Sequence, residues 1–202
     1  MRTMTTAVLA LALAGGSARA DAWYRGNLHM HSMWSDGNVF PEDAVGWYRD
    51  HGYQFVCLSD HQMLQLDTNA WLQLGSKKLS RAQADAYRKA HPDVSEVRKD
   101  GTNEFLRLKT LAELKQSFDR PESFLVVPGH ELNRGIGGVE VHMNAINVRE
   151  TIPYRYGETP IDTFRRIDAA VDAWGDEHGV PTLFILNHPT WRYFDILPEV
   201  LI

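Results

Sequence analysis

The segment Asn27-Leu28-His29-Met30-His31-Ser32-Met33-Trp34-Ser35-Asp36-Gly37 decides how this chain is read. Residues 24–31 read as a strand, and residues two apart on a strand point to the same side. His29 and His31 can therefore aim their imidazoles at one point, with Asp36 following before a glycine. Two neutral imidazoles and a carboxylate suit a transition metal of the Zn, Fe or Mn type. A polar strand end running into a Ser-Asp-Gly turn would look the same in isolation, so the rest of the chain has to choose.

Composition bounds the choice. The chain has 202 residues, 44% hydrophobic and 23% charged, which fits one ordinary globular domain. Its start is different: Arg2, an apolar run over residues 5–14, then a small-residue stretch ending Ala18-Arg19-Ala20. That is the pattern of a secretory signal over residues 1–20, cut before Asp21. It predicts a periplasmic or secreted domain over residues 21–202. The apolar run is too short to be a stable membrane anchor. Losing Arg2 and Arg19 takes the formal net charge from −5 to −7. An acidic surface disfavours nucleic acid as partner and leaves a small-molecule substrate. Cys57 is the only cysteine, so no intrachain disulfide forms, and its apolar neighbours predict a buried, inert thiol. The sequence says nothing about oligomeric state.

Outward from the opening segment, residues 38–51 read as a helix. Pro41, Glu42 and Asp43 suit its first turn, and Gly52 its stop. Ala44, Val45 and Tyr48 share one face, and His51 sits at the carbonyl end. Residues 54–58 form a short apolar strand of the kind buried in a parallel sheet, ending Ser59-Asp60-His61. Residues 62–123 break this rhythm and read as an insertion above the strand ends, a possible lid. Helices are expected around residues 80–90 and 110–118, with a loop over residues 91–103 that leaves His91 solvated.

Residues 124–127 are the next buried strand, ending Pro128-Gly129-His130-Glu131. His130 alternates with Glu131 and is expected to point away from any site that Glu131 faces. After the glycine-rich Gly135-Ile136-Gly137-Gly138, alternation puts Val139, Val141, Met143 and Ala145 on one side and Glu140, His142 and Asn144 on the other. Residues 159–178 carry the clearest helix, with Thr159 as cap, Asp162 completing a capping-box-like pattern, and Ile161, Phe164, Ile167, Val171 and Trp174 as its stripe. Residues 182–186 are a buried strand ending Asn187-His188-Pro189.

Strand ends therefore carry His29, His31, His61, Glu131 and His188, and a further strand carries His142. A lone histidine at a strand end is usually a satisfied polar residue. The same feature on five strands is improbable if packing alone required it. In an α/β barrel the strand ends converge on one mouth, where metal sites form.

The motifs His29-x-His31-x4-Asp36-Gly37, Ser59-Asp60-His61, Pro128-Gly129-x-Glu131 and Asn187-His188-Pro189 resemble those of the polymerase and histidinol phosphatase (PHP) family. The secretory start and the long segment after the second motif look more like its carbaryl-hydrolase-like branch. The resemblance implies a distorted (β/α)7 barrel holding up to three divalent transition metals, Zn, Mn or Fe. It implies that His29, His31 and Glu131 hold the first metal, and that Glu131 bridges to a second held by His142 and His188. Asp36 and His61 would hold a third, with Asp36, His61 and Glu131 as the catalytic set. The family's final Asp-x-His motif has no counterpart here, and Asp195 is no substitute. The expectation is a barrel truncated before its last strand, a fragment of a longer protein.

Asp60 is a candidate to orient a ligand histidine. Arg134 and Arg192 are candidates to neutralise an anionic substrate. Two metals clamping the attacking and leaving oxygens suit phosphoester hydrolysis, and equally carboxylic ester, amide or carbamate hydrolysis. A metal-binding module without catalysis is the reading from another class. A serine-nucleophile hydrolase is disfavoured, because no Gly-x-Ser-x-Gly elbow occurs.

Overall fold

Phe55-Val56-Cys57-Leu58 carries β-branched and apolar side chains, the last three wholly buried, and is the strand against which the main sheet is laid. The structure, a computed structural model, describes residues 23–92, 95–136, 138–153 and 155–189. The expected signal segment, Arg192 and Asp195 lie outside these residues. In chain order the elements are β1 (Gly26–Asn27), α1 (Pro41–Asp50), β2 (Phe55–Leu58), β3 (Trp71–Gln73), α2 (Arg81–Ala90), β4 (Val97–Asp100) and β5 (Asn103–Arg107). There follow α3 (Leu111–Phe118), β6 (Leu125–Ile136), β7 (Val139–Ile146), α4 (Pro160–His178) and β8 (Leu183–Leu186).

The fold is mixed α/β. Its main sheet has the order β1-β2-β6-β7-β8. The pairings β1–β2 and β2–β6 are parallel, whereas β6–β7 and β7–β8 are antiparallel. Among the described residues this sheet does not close into the distorted (β/α)7 barrel expected above and has open edges at β1 and β8. The antiparallel β6–β7 pairing follows from the turn at Gly138, φ 83, where the chain turns straight back as a hairpin, pairing Ile136 with Val139. Because β8 is again antiparallel to β7, it runs with β1, β2 and β6. Their carboxyl ends lie on one side.

The first strand is shorter than expected. Pairing with β2 stops at Asn27↔Val56, because the Asn27 side chain then caps its own chain: Oδ1 accepts from His29 N at 3.2 Å and Nδ2 donates to His29 O at 3.0 Å. The two histidines leave the strand on a turn, yet stay beside β2, since Ser59 N donates to Met30 O at 3.0 Å.

Three apolar clusters hold the elements. α1 and α3 pack Val45, Leu111 and Leu114 against Val56, Leu58 and Val126 of the sheet. α4 lays Phe164, Ile167, Val171 and Trp174 on Leu132, Val141, Met143 and Ala145, the face predicted by alternation. α4 starts where Thr159 accepts from Asp162 N at 3.2 Å and stops at Gly179, φ 63. Asp162 does not return the bond to Thr159; it accepts from Arg166 at 3.0 Å and from Glu158 N at 3.3 Å.

Within residues 62–123 lies a second sheet, β3-β5-β4, whereas α3 packs on the main sheet. The stretch expected as a loop folds as the hairpin β4–β5 around Gly101, φ 58, and buries Leu106 with Leu79, Ala84 and Tyr87. His91 is not simply solvated: it caps α2 and places Nε2 2.6 Å from Oδ1 of Asp43 on α1. No described helix is long and apolar enough to cross a membrane.

Candidate metal centre

Glu131 is the middle of the site. It lies on β6 just past the last β2 pairing, Leu58↔Pro128, where His61 makes an isolated parallel bridge to it. Its side chain is wholly buried, and around it five imidazoles form a closed circuit. Ring centroids are 4.9 Å apart for His29 and His31, 4.5 Å for His31 and His61, and 5.2 Å for His61 and His142. The circuit closes through His142–His188 at 5.1 Å and His188–His29 at 5.6 Å.

Each ring faces the carboxylate. Oε2 of Glu131 lies 2.6 Å from His31 Nε2, 3.0 Å from His29 Nε2 and 3.6 Å from His61 Nδ1. Oε1 lies 2.8 Å from His142 Nδ1 and 3.5 Å from His188 Nε2. Asp36, exposed to solvent, sets Oδ1 2.7 Å from His31 Nδ1 and Oδ2 3.7 Å from His61 Nε2.

Backbone geometry aims these side chains. In β6 and β7 the pairs Glu131↔Asn144 and Asn133↔His142 put Glu131 and His142 on the same face. The chain leaves β2 and β8 through Gln62, φ 56, and His188, φ 26, left-handed conformations that a residue with a side chain adopts at a cost of about 1–3 kcal/mol. Two asparagines tie the layers: Asn187 Nδ2 donates to Glu131 Oε1 and to Asn144 Oδ1, both at 2.8 Å, and Asn144 Nδ2 donates to Leu28 O at 2.8 Å.

Electrostatics follow from this packing. Burial pushes Glu131 up, but hydrogen bonds from His142, His29, His31 and Asn187 outweigh it and hold the carboxyl far below its usual range. Burial lowers His31, and the bonds to Glu131 and Asp36 reverse the sign and leave it raised. Asp36 is pushed up by burial and held below its usual value by His31. His61 and His188 are lowered, mainly by burial, which favours the neutral imidazole that a metal needs.

A divalent ion fits this donor set. Ligands bonded to one ion at ~2.0–2.1 Å stand about 3 Å from each other, and His29 Nε2, His31 Nε2 and Glu131 Oε2 are mutually 2.6–3.0 Å apart. Nδ1 of His61 is buried without a hydrogen-bond partner among the described residues. Three groups can each offer one ligand atom within 4.8 Å of the others: His29–Glu131–His188, His31–Asp36–His61 and His61–Glu131–His142. This grouping differs from the family-derived one, since His188 stands with His29 and His61 with His142.

All seven metal candidates thus meet in one cleft. Arg134 does not join them: it alternates to the other face of β6 and stacks over the Tyr156 ring at 4.5 Å. His130 also points away, is buried, and is pushed down to about 4 by that burial. Cys57 is buried, and burial pushes its thiol up. Sequence reasoning missed Asn144, Asn187 and Lys78. The two asparagines were legible as polar neighbours of ligand candidates on a strand face and a strand end. Lys78, in the insertion, is lowered by burial and partly restored by the nearby charges of Asp60 and Asp36. Nothing in the local sequence around Lys78 marks it.

No protein-family model and no curated protein sequence matches the chain. Among solved structures it is similar to a Bifidobacterium adolescentis protein whose name proposes a metal-dependent phosphoesterase. That likeness has 17% identity, a TM-score of 0.30, and covers 60% of this chain and 27% of the other. It is similar also to a two-domain Bacteroides vulgatus protein whose name predicts a PHP-like metal-dependent phosphoesterase. Here identity is 19% and the TM-score 0.43, over 88% of this chain and 40% of the other. The chain spans less than half the length of either structure.

Proposed function

We propose that this chain is the metal-binding part of an exported, metal-dependent hydrolase acting on a small phosphoester. The observation that carries the reading is the closed circuit of five imidazoles around one buried, ionised carboxylate. Packing has no use for so many histidines at one point, and burying a charge is expensive unless it is paired. The four motifs that resemble the PHP family lie on the same residues, and the signal-like start supports export.

His29, His31, His61, His142, His188, Glu131 and Asp36 would hold the ions. Divalent ions there supply Lewis acidity, making water a better nucleophile and polarising the phosphoryl oxygens. The chain's own residues do the rest. Glu131 stays charged and orders the rings. Asp36 fixes His31 through Nδ1 and leaves Nε2 facing the cleft. The rings keep between about a tenth and a third of their surface open, so a substrate reaches them from one side. Lys78 lies near enough to Asp60 and Asp36 to feel their charge and would be a cation available to an anionic substrate oxygen on that side.

The test is turnover of an aryl phosphomonoester, an aryl ester and an aryl carbamate by protein loaded with Zn²⁺ or Mn²⁺. Chelator-sensitive turnover of the phosphomonoester above the other two is the expected result. Faster ester or carbamate turnover would move the assignment to that chemistry. Metal binding with no turnover would mark a binding module.

A further inference from the structure

We propose that Asp60 is a positioning residue that builds the His31–Asp36–His61 group and leaves the other ligands alone. The inference rests on the metal reading above and deepens it.

Asp60 follows β2, directly before His61, and is wholly buried. It does not orient a histidine ring, as the sequence suggested. Its carboxylate instead gathers the loop that carries Asp36. Oδ1 accepts from Ser32 N at 2.8 Å, Ser35 N at 3.0 Å and Ser35 Oγ at 2.6 Å. Oδ2 accepts from Ser32 Oγ at 2.8 Å and from Gln65 Nε2 at 2.9 Å. A carboxylate removed from water is tolerable when its lone pairs are filled in this way.

The outer side of the loop is anchored separately, with Met33 and Trp34 buried against the second sheet and Trp34 Nε1 donating to Lys109 O at 2.9 Å. Within residues 32–36 the backbone supplies Ser35 N to Ser32 O at 3.1 Å, and Met33 N reaches Val39 O at 2.9 Å. The chain then folds hard against itself: a Cβ at Gly37 would stand 2.7 Å from the His31 carbonyl and Ser32 N. The loop is therefore compact, and Asp60 is the side chain that ties Ser32 and Ser35, next to His31 and Asp36, to the end of β2. His31 and Asp36 are its two ends, and His61 is bonded to Asp60 through the chain. One buried carboxylate thus sets the 2.7 Å His31–Asp36 contact and the 3.7 Å His61–Asp36 contact.

The remaining ligands are placed by other means. Glu131 and His142 are fixed by the β6–β7 register, and Asn187 and Asn144 order the β8 side. The Asp60 side-chain bonds run to Ser32, Ser35 and Gln65. Gln65 extends the same network toward the insertion, since its carbonyl accepts from Leu111 N at 2.8 Å at the start of α3. A general structural role would weaken every ligand together. A positioning role is selective.

The experiment compares the full chain with Asp60→Asn and Ser35→Ala in two states. Metal-free protein is read by long-range ¹H–¹⁵N NMR of the histidine rings. Protein loaded with Zn²⁺ and dialysed is read by metal-to-protein stoichiometry and by titration. Asn keeps the shape of Asp but cannot accept at both oxygens; Ser35→Ala removes one donor and serves if Asp60→Asn fails to fold. The expected result is shifted His31 and His61 signals with His142 and His188 unmoved, and sites that use His61 weakened ~10–100-fold while the His29–Glu131–His188 group holds. Uniform change across all rings and sites, or none, overturns the inference while the metal reading stands. If wild type retains no ion, the metal reading fails, and the ring signals still decide whether Asp60 acts selectively.

Discussion

Nε2 of His31 lies 2.6 Å from Oε2 of Glu131, so a turn after β1 and the middle of β6 meet at one point. Glu131→Gln keeps the shape and removes the charge that five rings surround. Loss of a direct ligand should cost at least the ~100-fold that loss of an outer partner can cost. Calorimetric titration with Zn²⁺ is expected to show that loss. Unchanged affinity would mean that Glu131 orders the rings without binding metal.

Asn187 tests the layer behind the ligands. Its Nδ2 joins Glu131 to Asn144, which in turn holds Leu28 beside the His29 turn. Asn187→Ala should lower metal affinity ~10–100-fold with little change in secondary structure by circular dichroism.

Lys78 and Arg134 make a paired test of substrate recognition. Lys78→Ala should raise KM for an anionic phosphoester roughly tenfold with a smaller effect on kcat, as loss of one favourable contact would. Arg134→Ala, on the far face over Tyr156, should change neither. Steady-state kinetics at two salt concentrations separates the lysine's effect from general screening.

The acid limb of stability should depend on Glu113. It takes Arg107 at 2.5 Å and 3.0 Å and caps α3 by accepting from Thr110 N at 2.8 Å. The Arg107 bond holds its carboxyl down from 4.5 to about 2, against an opposing push from burial. A group lowered on folding contributes stability above its unfolded value and loses it as pH falls through the folded one. Glu113→Gln is therefore expected to destabilise by about 1 kcal/mol at pH 7 and to flatten the decline from about pH 4.5 to 2. Urea melts across that range check it.

Gly129 lets three layers meet. A Cβ there would stand 2.6 Å from Cys57 Sγ and 2.8 Å from Ala145 O. Gly129→Ala should cost about 1–3 kcal/mol by denaturant unfolding, since backbone cannot move aside as a side chain can.

The site was more legible than the sheet. His29, His31, His61, Glu131, His142 and His188 stood out because the sequence sets ligand chemistry at the ends of apolar runs. Elements followed the same logic: α1 and α4 carried stripes and end signals strong enough to place both. The sheet's direction was not legible in the same way. Val139 to Ala145 alternates whichever neighbour it pairs with, and Gly138, where the chain reverses so that β7 is antiparallel, was read only as part of a glycine-rich turn. β1 was overextended because Asn27 ends it through its own side chain, a local competition that periodicity does not show. β4 was read as loop because it is almost all polar, and the burial of the hairpin comes from Leu106 and Arg107 across the pair.

The central claim is that the five imidazoles and the two carboxylates bind divalent metal. Zinc K-edge X-ray absorption on protein loaded with Zn²⁺ and dialysed tests it most directly. The account predicts retained zinc with mixed imidazole and carboxylate scattering at ~2.0–2.1 Å, reduced in His29→Ala/His31→Ala. No retained zinc, or a shell of oxygen scatterers without imidazole, would contradict it.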